Sequence, residues 1–63
     1  MGYKIREFRE AKNMTQEELS RKSGVSRTII HFLETDSKRT TTIKTLLKIA
    51  AALETTVDKI FFE

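Results

Sequence analysis

Ser26, Arg27 and Thr28 put three hydrogen-bonding side chains in succession at the start of a helix, and His31 and Phe32 follow one turn later. An inward-facing helix would carry apolar groups at those positions. Donors and acceptors gathered at a helix N-terminus suit a surface that is read through its hydrogen-bonding edges, and duplex DNA is the leading candidate. Phe32 fits the same reading, because an aromatic ring can pack against the methyl group of thymine; its rival role is in a protein-binding surface. Catalytic chemistry has little to work with. There is one His and no Cys, and no second His or adjacent carboxylate completes a nucleophile–base pair or a metal site. The expectation is a non-enzyme without cofactor or metal.

These residues need elements to hold them. Thr15 to Glu34 reads as two short amphipathic helices joined by a tight turn at Gly24, where glycine supplies a positive φ. The first of the two begins with a capping box, Thr15 and Glu18, and with a hydrophobic staple of Met14 and Leu19. The second, over about residues 27–34, is capped by Ser26 and stapled by Val25 and Ile30. Ile30 and Leu33 point inward. Arg27, Thr28, His31 and Phe32 lie away from that face, and Ile29 is expected to pack against the preceding helix.

An earlier helix is predicted from about Tyr3 to Lys12, with Ile5 and Phe8 inward and Asn13 ending it in the left-handed conformation. Thr35 to Thr42 is a polar loop. Thr42 caps a fourth helix whose inward stripe is read as Ile43, Leu46, Leu47, Ile49, Ala50 and Leu53. A short fifth helix, capped by Thr56, turns Val57, Ile60 and Phe61 inward.

Size and composition bound the answer. A 63-residue chain makes one domain, residues 1–63, and buries only about 60% of its unfolded surface. Without Cys it has no disulfide staple, so it depends on helix packing, helped by dimerisation. Strand-like alternation, membrane-length apolar runs and a secretory leader are all absent from the sequence, which predicts a soluble, cytoplasmic, all-α protein with no membrane partner. The formal charge is +3, but residues 20–48 carry +5 and the remainder −2. A basic middle on a near-neutral body is the footprint expected for a polyanion.

The runs IREFREAKNMTQEEL, SGVSRTIIHFLE, TLLKIAAAL and VDKIF closely resemble the Cro/cI-type, or XRE-family, helix-turn-helix domains, over essentially the whole chain. The resemblance implies a compact, lambda repressor-like bundle of five helices whose second and third helices bind double-stranded DNA. It implies a transcriptional regulator, commonly a repressor acting as a dimer on a palindromic operator, with no small-molecule ligand. Carried onto this chain, the recognition positions are Ser26, Arg27, Thr28, His31 and Phe32, with Arg27 the candidate for a bidentate contact to guanine. Gln16 matches the glutamine that contacts the DNA backbone and supports the reading helix, and Lys38 and Arg39 are natural phosphate contacts. Arg9 and Glu34 match a partly buried ion pair between the first and third helices.

The chain departs from the pattern in four places. Thr35-Asp36 replaces Asn-Gly, the following loop is one residue longer, Ser20 replaces Ala, and Glu54 stands where Gly often ends the fourth helix. A left-handed Glu54 would cost on the order of 1 kcal/mol. Phe62 falls off the inward face of the last helix. It either folds back near Tyr3 or lies in a dimer interface. The rival to DNA recognition is an antitoxin-like module that holds another protein through an exposed Phe32 or Phe62.

Overall fold

The computed structural model describes residues 2–36 and 40–62. Five helices follow in order: α1 (Ile5–Ala11), α2 (Gln16–Ser23), α3 (Arg27–Thr35), α4 (Ile43–Ala52) and α5 (Val57–Ile60). Two-residue strands, β1 (Gly2–Tyr3) and β2 (Phe61–Phe62), flank them. The five-helix reading stands, with this small ribbon added to it.

Local chemistry sets the boundaries of the central helices. Thr15 Oγ1 accepts from the Glu18 amide at 3.0 Å, and Glu18 Oε1 accepts from the Thr15 amide at 3.0 Å. The bond from the Thr15 amide holds the Glu18 carboxyl below its ordinary range. Gly24 ends α2 at φ 75°, donating its amide to the Ser20 carbonyl at 2.9 Å. Ser26 Oγ accepts from the Ile29 amide at 3.2 Å to start α3. Thr42 Oγ1 does the same for Thr45 at 3.1 Å to start α4. Asn13 adopts φ 53°, as expected after α1, and Glu54 takes φ 57° after α4 although it is not glycine. Thr56 precedes α5, but its side chain makes no capping bond.

One core joins all five helices. Ile5, Met14, Leu19, Val25, Ile30, Leu33, Ile49, Ala50, Leu53 and Ile60 form a single buried cluster, with Tyr3, Phe8, Ala52 and Val57 packed on its edge. Both staples are inside it. Ile43 and Leu47 are not: they remain 63% and 56% exposed, against the expectation that they face inward. The buried stripe of α4 is Leu46, Ile49 and Ala50, continued by Leu53 just past its end. Leu47 is turned off its side by one helical step, and Ile43 opens the first turn. Ile29, expected against α2, keeps 37% of its surface.

The ribbon corrects the predicted start of the first helix. Tyr3 pairs with Phe61 and Gly2 with Phe62, antiparallel, and the Lys4 amide donates to the Ile60 carbonyl at 2.7 Å. Tyr3 is thereby a strand residue, and its ring meets that of Phe61 at 5.5 Å. Phe62 lies across Gly2, where an added Cβ would sit 2.7 Å from the Phe62 Cζ. The Lys4 ammonium is 5.8 Å from the centre of the Phe62 ring. Phe62 folds back onto Gly2, next to Tyr3, with half of its surface still exposed.

Candidate nucleic-acid interface

α2 and α3 meet through the turn at Gly24, with the Val25 amide donating to Ser23 Oγ at 3.1 Å. Val25, Ile30 and Leu33 anchor α3 in the core, which leaves its opposite face outward. Arg27, Thr28, His31 and Phe32 together line a shallow depression on that face. A neighbouring cleft is lined by Arg9, Thr15, Gln16, Glu17 and Arg27. Arg27 belongs to both, so one continuous surface runs from the N-terminus of α2 along the outer side of α3. It gathers five of the eight residues singled out in the sequence.

Individual placements follow from local bonds. Ser26 is exposed, and its Oγ accepts the Ile29 amide as the α3 cap. The His31 and Phe32 rings stand edge to face at 5.8 Å. Phe32 is 39% exposed, which bears out its reading as an outward residue. The Thr35 hydroxyl donates to the His31 carbonyl at 2.9 Å and ties the last turn of α3. Lys38 and Arg39 lie outside the described residues.

Beneath this surface is an ionic junction. The Glu34 side chain is fully buried, and Arg9 grips it twice, Nε to Oε2 at 2.8 Å and Nη2 to Oε1 at 3.0 Å. Gln16 Nε2 donates to Oε1 at 3.0 Å, and Arg6 Nε approaches the same oxygen at 3.4 Å. Arg9 Nη1 also donates to the Met14 carbonyl at 2.7 Å. α1, α2, α3 and the turn before α2 thus meet on one carboxylate.

Burial pushes the Glu34 carboxyl up, but hydrogen bonds from Arg9 and Gln16, the Arg9 charge and the Arg6 contact outweigh it. The net direction is below the ordinary range. The bond to Glu34 raises Arg9 in turn. The resemblance placed Arg9 opposite Glu34, and that pair is present. The bond from Gln16 to Glu34 on α3 fits the support of the reading helix that the resemblance implied for it, whereas the role of Arg6 at the same oxygen was not read from the sequence. The signal available was weak: Arg6 and Arg9 share a helix face three residues apart.

No group of three or more His, Asp or Glu side chains suited to a metal ion occurs among the described residues. No described helix is long and apolar enough to cross a membrane.

With this geometry, comparison with known proteins is decisive for the family. A helix-turn-helix family model matches residues 5–60. An uncharacterized HTH-type transcriptional regulator of Archaeoglobus fulgidus is 43% identical over 61 residues, covering 97% of this chain and 84% of that one. Control protein C.SmaI of Serratia marcescens is 39% identical over 56 residues, covering 89% of this chain and 66% of its own. The crystal structure of the restriction-modification controller protein C.AhdI from Aeromonas hydrophila superposes with a TM-score of 0.81 at 33% identity, over 90% of this chain and 85% of that one. The chain belongs to the helix-turn-helix family of the XRE, Cro/cI type. Its function is DNA-binding regulation of transcription.

Proposed function

We propose that this chain is a sequence-specific repressor that binds a palindromic operator as a homodimer, with α3 in the major groove. The observation that carries the reading is the single outward surface in which Gln16, Arg27, Thr28, His31 and Phe32 lie side by side. Ser26, Arg27 and Thr28 meet base edges, His31 lies beside them, and Phe32 packs on a thymine methyl. Gln16, Lys38 and Arg39 hold phosphates and fix the register without reading sequence. The whole of residues 1–63 serves as one DNA-binding domain with no catalytic role, and its place is the cytoplasm, where its DNA is.

Dimerisation is supported by Ile43 and Leu47, one turn apart and both largely exposed on α4. Ile43 also borders a mainly apolar groove of about 270 Å³ with Tyr3, Thr40, Thr41, Leu46 and Phe61. Binding two half-sites one turn of B-DNA apart requires such a dimer to hold its α3 helices about 34–36 Å apart.

Paired variants test the division of labour. Arg27→Ala lowers affinity for the preferred site by about 1–3 kcal/mol and relaxes choice at one base pair. Gln16→Ala weakens all duplexes alike. Equal losses for Arg27→Ala on preferred and mixed-sequence DNA would make it a backbone contact and remove the main specificity residue from the proposal.

A further inference from the structure

We propose that Arg6, on α1 and outside the helix-turn-helix unit, is an additional phosphate-binding residue that Glu34 holds until DNA takes it over. The inference rests on the DNA-binding reading above and extends its footprint to a third helix.

The Glu34 carboxylate is crowded with donors. Its Oε1 faces three donors: Arg9 Nη2 at 3.0 Å, Gln16 Nε2 at 3.0 Å and Arg6 Nε at 3.4 Å. A carboxylate oxygen has two lone-pair directions, so the third and longest contact is surplus. Arg9 already neutralises the carboxylate through both oxygens. Two guanidinium groups face the one Glu34 carboxylate; Arg9 engages both of its oxygens and also feels the Glu10 charge, so Arg6 is the guanidinium that Glu34 holds less closely.

Exposure separates the two arginines. The Arg9 side chain is 12% exposed and the Arg6 side chain 49%. Arg9 also donates to the Met14 carbonyl, whereas the Nη groups of Arg6 make no hydrogen bond among the described residues. Arg6 therefore presents the paired donors of its fork to solvent, the geometry that suits a phosphate.

Location supplies the ligand. Arg6 and Gln16 touch the same oxygen, and Gln16 lines the cleft with Arg27. Arg9, not Arg6, lines that cleft; Arg6 adjoins it through the oxygen it shares with Gln16, and its fork takes a phosphate at the cleft's edge once the long contact to Glu34 is released. The acidic neighbour in that cleft is Glu17, which lies 4.0 Å from Arg21.

The test is the salt dependence of binding to sonicated mixed-sequence duplex DNA, for the wild type, Arg6→Ala, Arg6→Gln and Arg6→Lys. Each neutralised phosphate contributes about 0.9 to the slope of log K against log salt. Arg6→Ala and Arg6→Gln are expected to lower the slope by about that amount. They should melt close to the wild type, and Arg6→Lys should keep the wild-type slope. A merely structural Arg6 would change the melting temperature and leave the slope alone. The proposal is overturned if Arg6→Ala and Arg6→Gln keep the full slope. It is equally overturned if both fail to fold, because Glu34 would then require Arg6. A wild type without salt-dependent DNA affinity would instead overturn the DNA-binding reading beneath it.

Discussion

Replacing Arg9 with Ala removes the main partner of the fully buried Glu34 carboxylate, and its consequence is large. The substitution deletes two charge-assisted bonds to Glu34 and the bond to the Met14 carbonyl. Breaking a buried pair by removing one partner costs about 3–5 kcal/mol. Gln16 and Arg6 remain as donors to Oε1, which places the loss near the lower end, about 3 kcal/mol. At roughly 0.05–0.15 kcal/mol per residue, 63 residues give a stability of about 3–9 kcal/mol, so a third or more of it disappears. The melting temperature should fall by about 12–24 °C, taking about 4–8 °C per kcal/mol for a domain of this size.

The pH dependence carries its own sign. In the wild type the Glu34 carboxyl is held below its unfolded range, so its contribution is fully present above about pH 4.3 and is lost as pH falls through the folded value. In Arg9→Ala, burial remains while the strongest opposing bonds are gone, so Glu34 moves upward and protonation relieves the fold. The stability gap between the two proteins is expected to be wide at pH 7 and to narrow towards pH 4. Urea unfolding followed by circular dichroism at both pH values measures it. A loss below about 1 kcal/mol at pH 7, the size of an exposed pair, would refute the reasoning; so would a gap that widens on acidification.

Gly24→Ala should cost about 1–2 kcal/mol by thermal unfolding, since φ is 75° and an added Cβ meets nothing within 4 Å, leaving backbone strain alone. Phe32→Ala should fold normally, because Ile30 and Leu33 carry the packing of α3, yet bind the preferred site less tightly. That loss should shrink when uracil replaces the facing thymine. Full DNA affinity with failure to hold a protein partner would favour the antitoxin-like reading. Leu47→Glu should give monomers in sedimentation and abolish cooperative occupancy of two half-sites; an unchanged dimer would place the interface elsewhere.

What was legible in the sequence was local. Thr15 with Glu18, Ser26, Gly24 and Thr42 act within one turn of the chain, so residue type and spacing suffice to place them. Ile30 and Leu33 were legible because they lie at the middle of an apolar stripe. Ile43 and Leu47 sit at its edge and at its end, where burial depends on whether a neighbouring element reaches that far. Periodicity does not carry that information. The ribbon was hidden for a related reason: two-residue strands are too short to alternate, and Gly2 and Phe62 meet across the full chain length.

The site divides in the same way. The outward direction of Arg27, Thr28, His31 and Phe32 follows from one helix. The gathering of Arg6, Arg9 and Gln16 on one oxygen of Glu34 requires three helices to be in place. The Thr56 cap fails because its hydroxyl makes no bond to the four-residue helix it precedes.

The most direct test of the account is selection of bound sites from random duplex DNA by the folded wild-type protein. The account predicts one enriched palindromic motif with half-site centres about 10 base pairs apart, matching two recognition helices one turn of B-DNA apart. Recovery of sequences with no shared motif, from protein shown to be folded, would contradict sequence reading by α3.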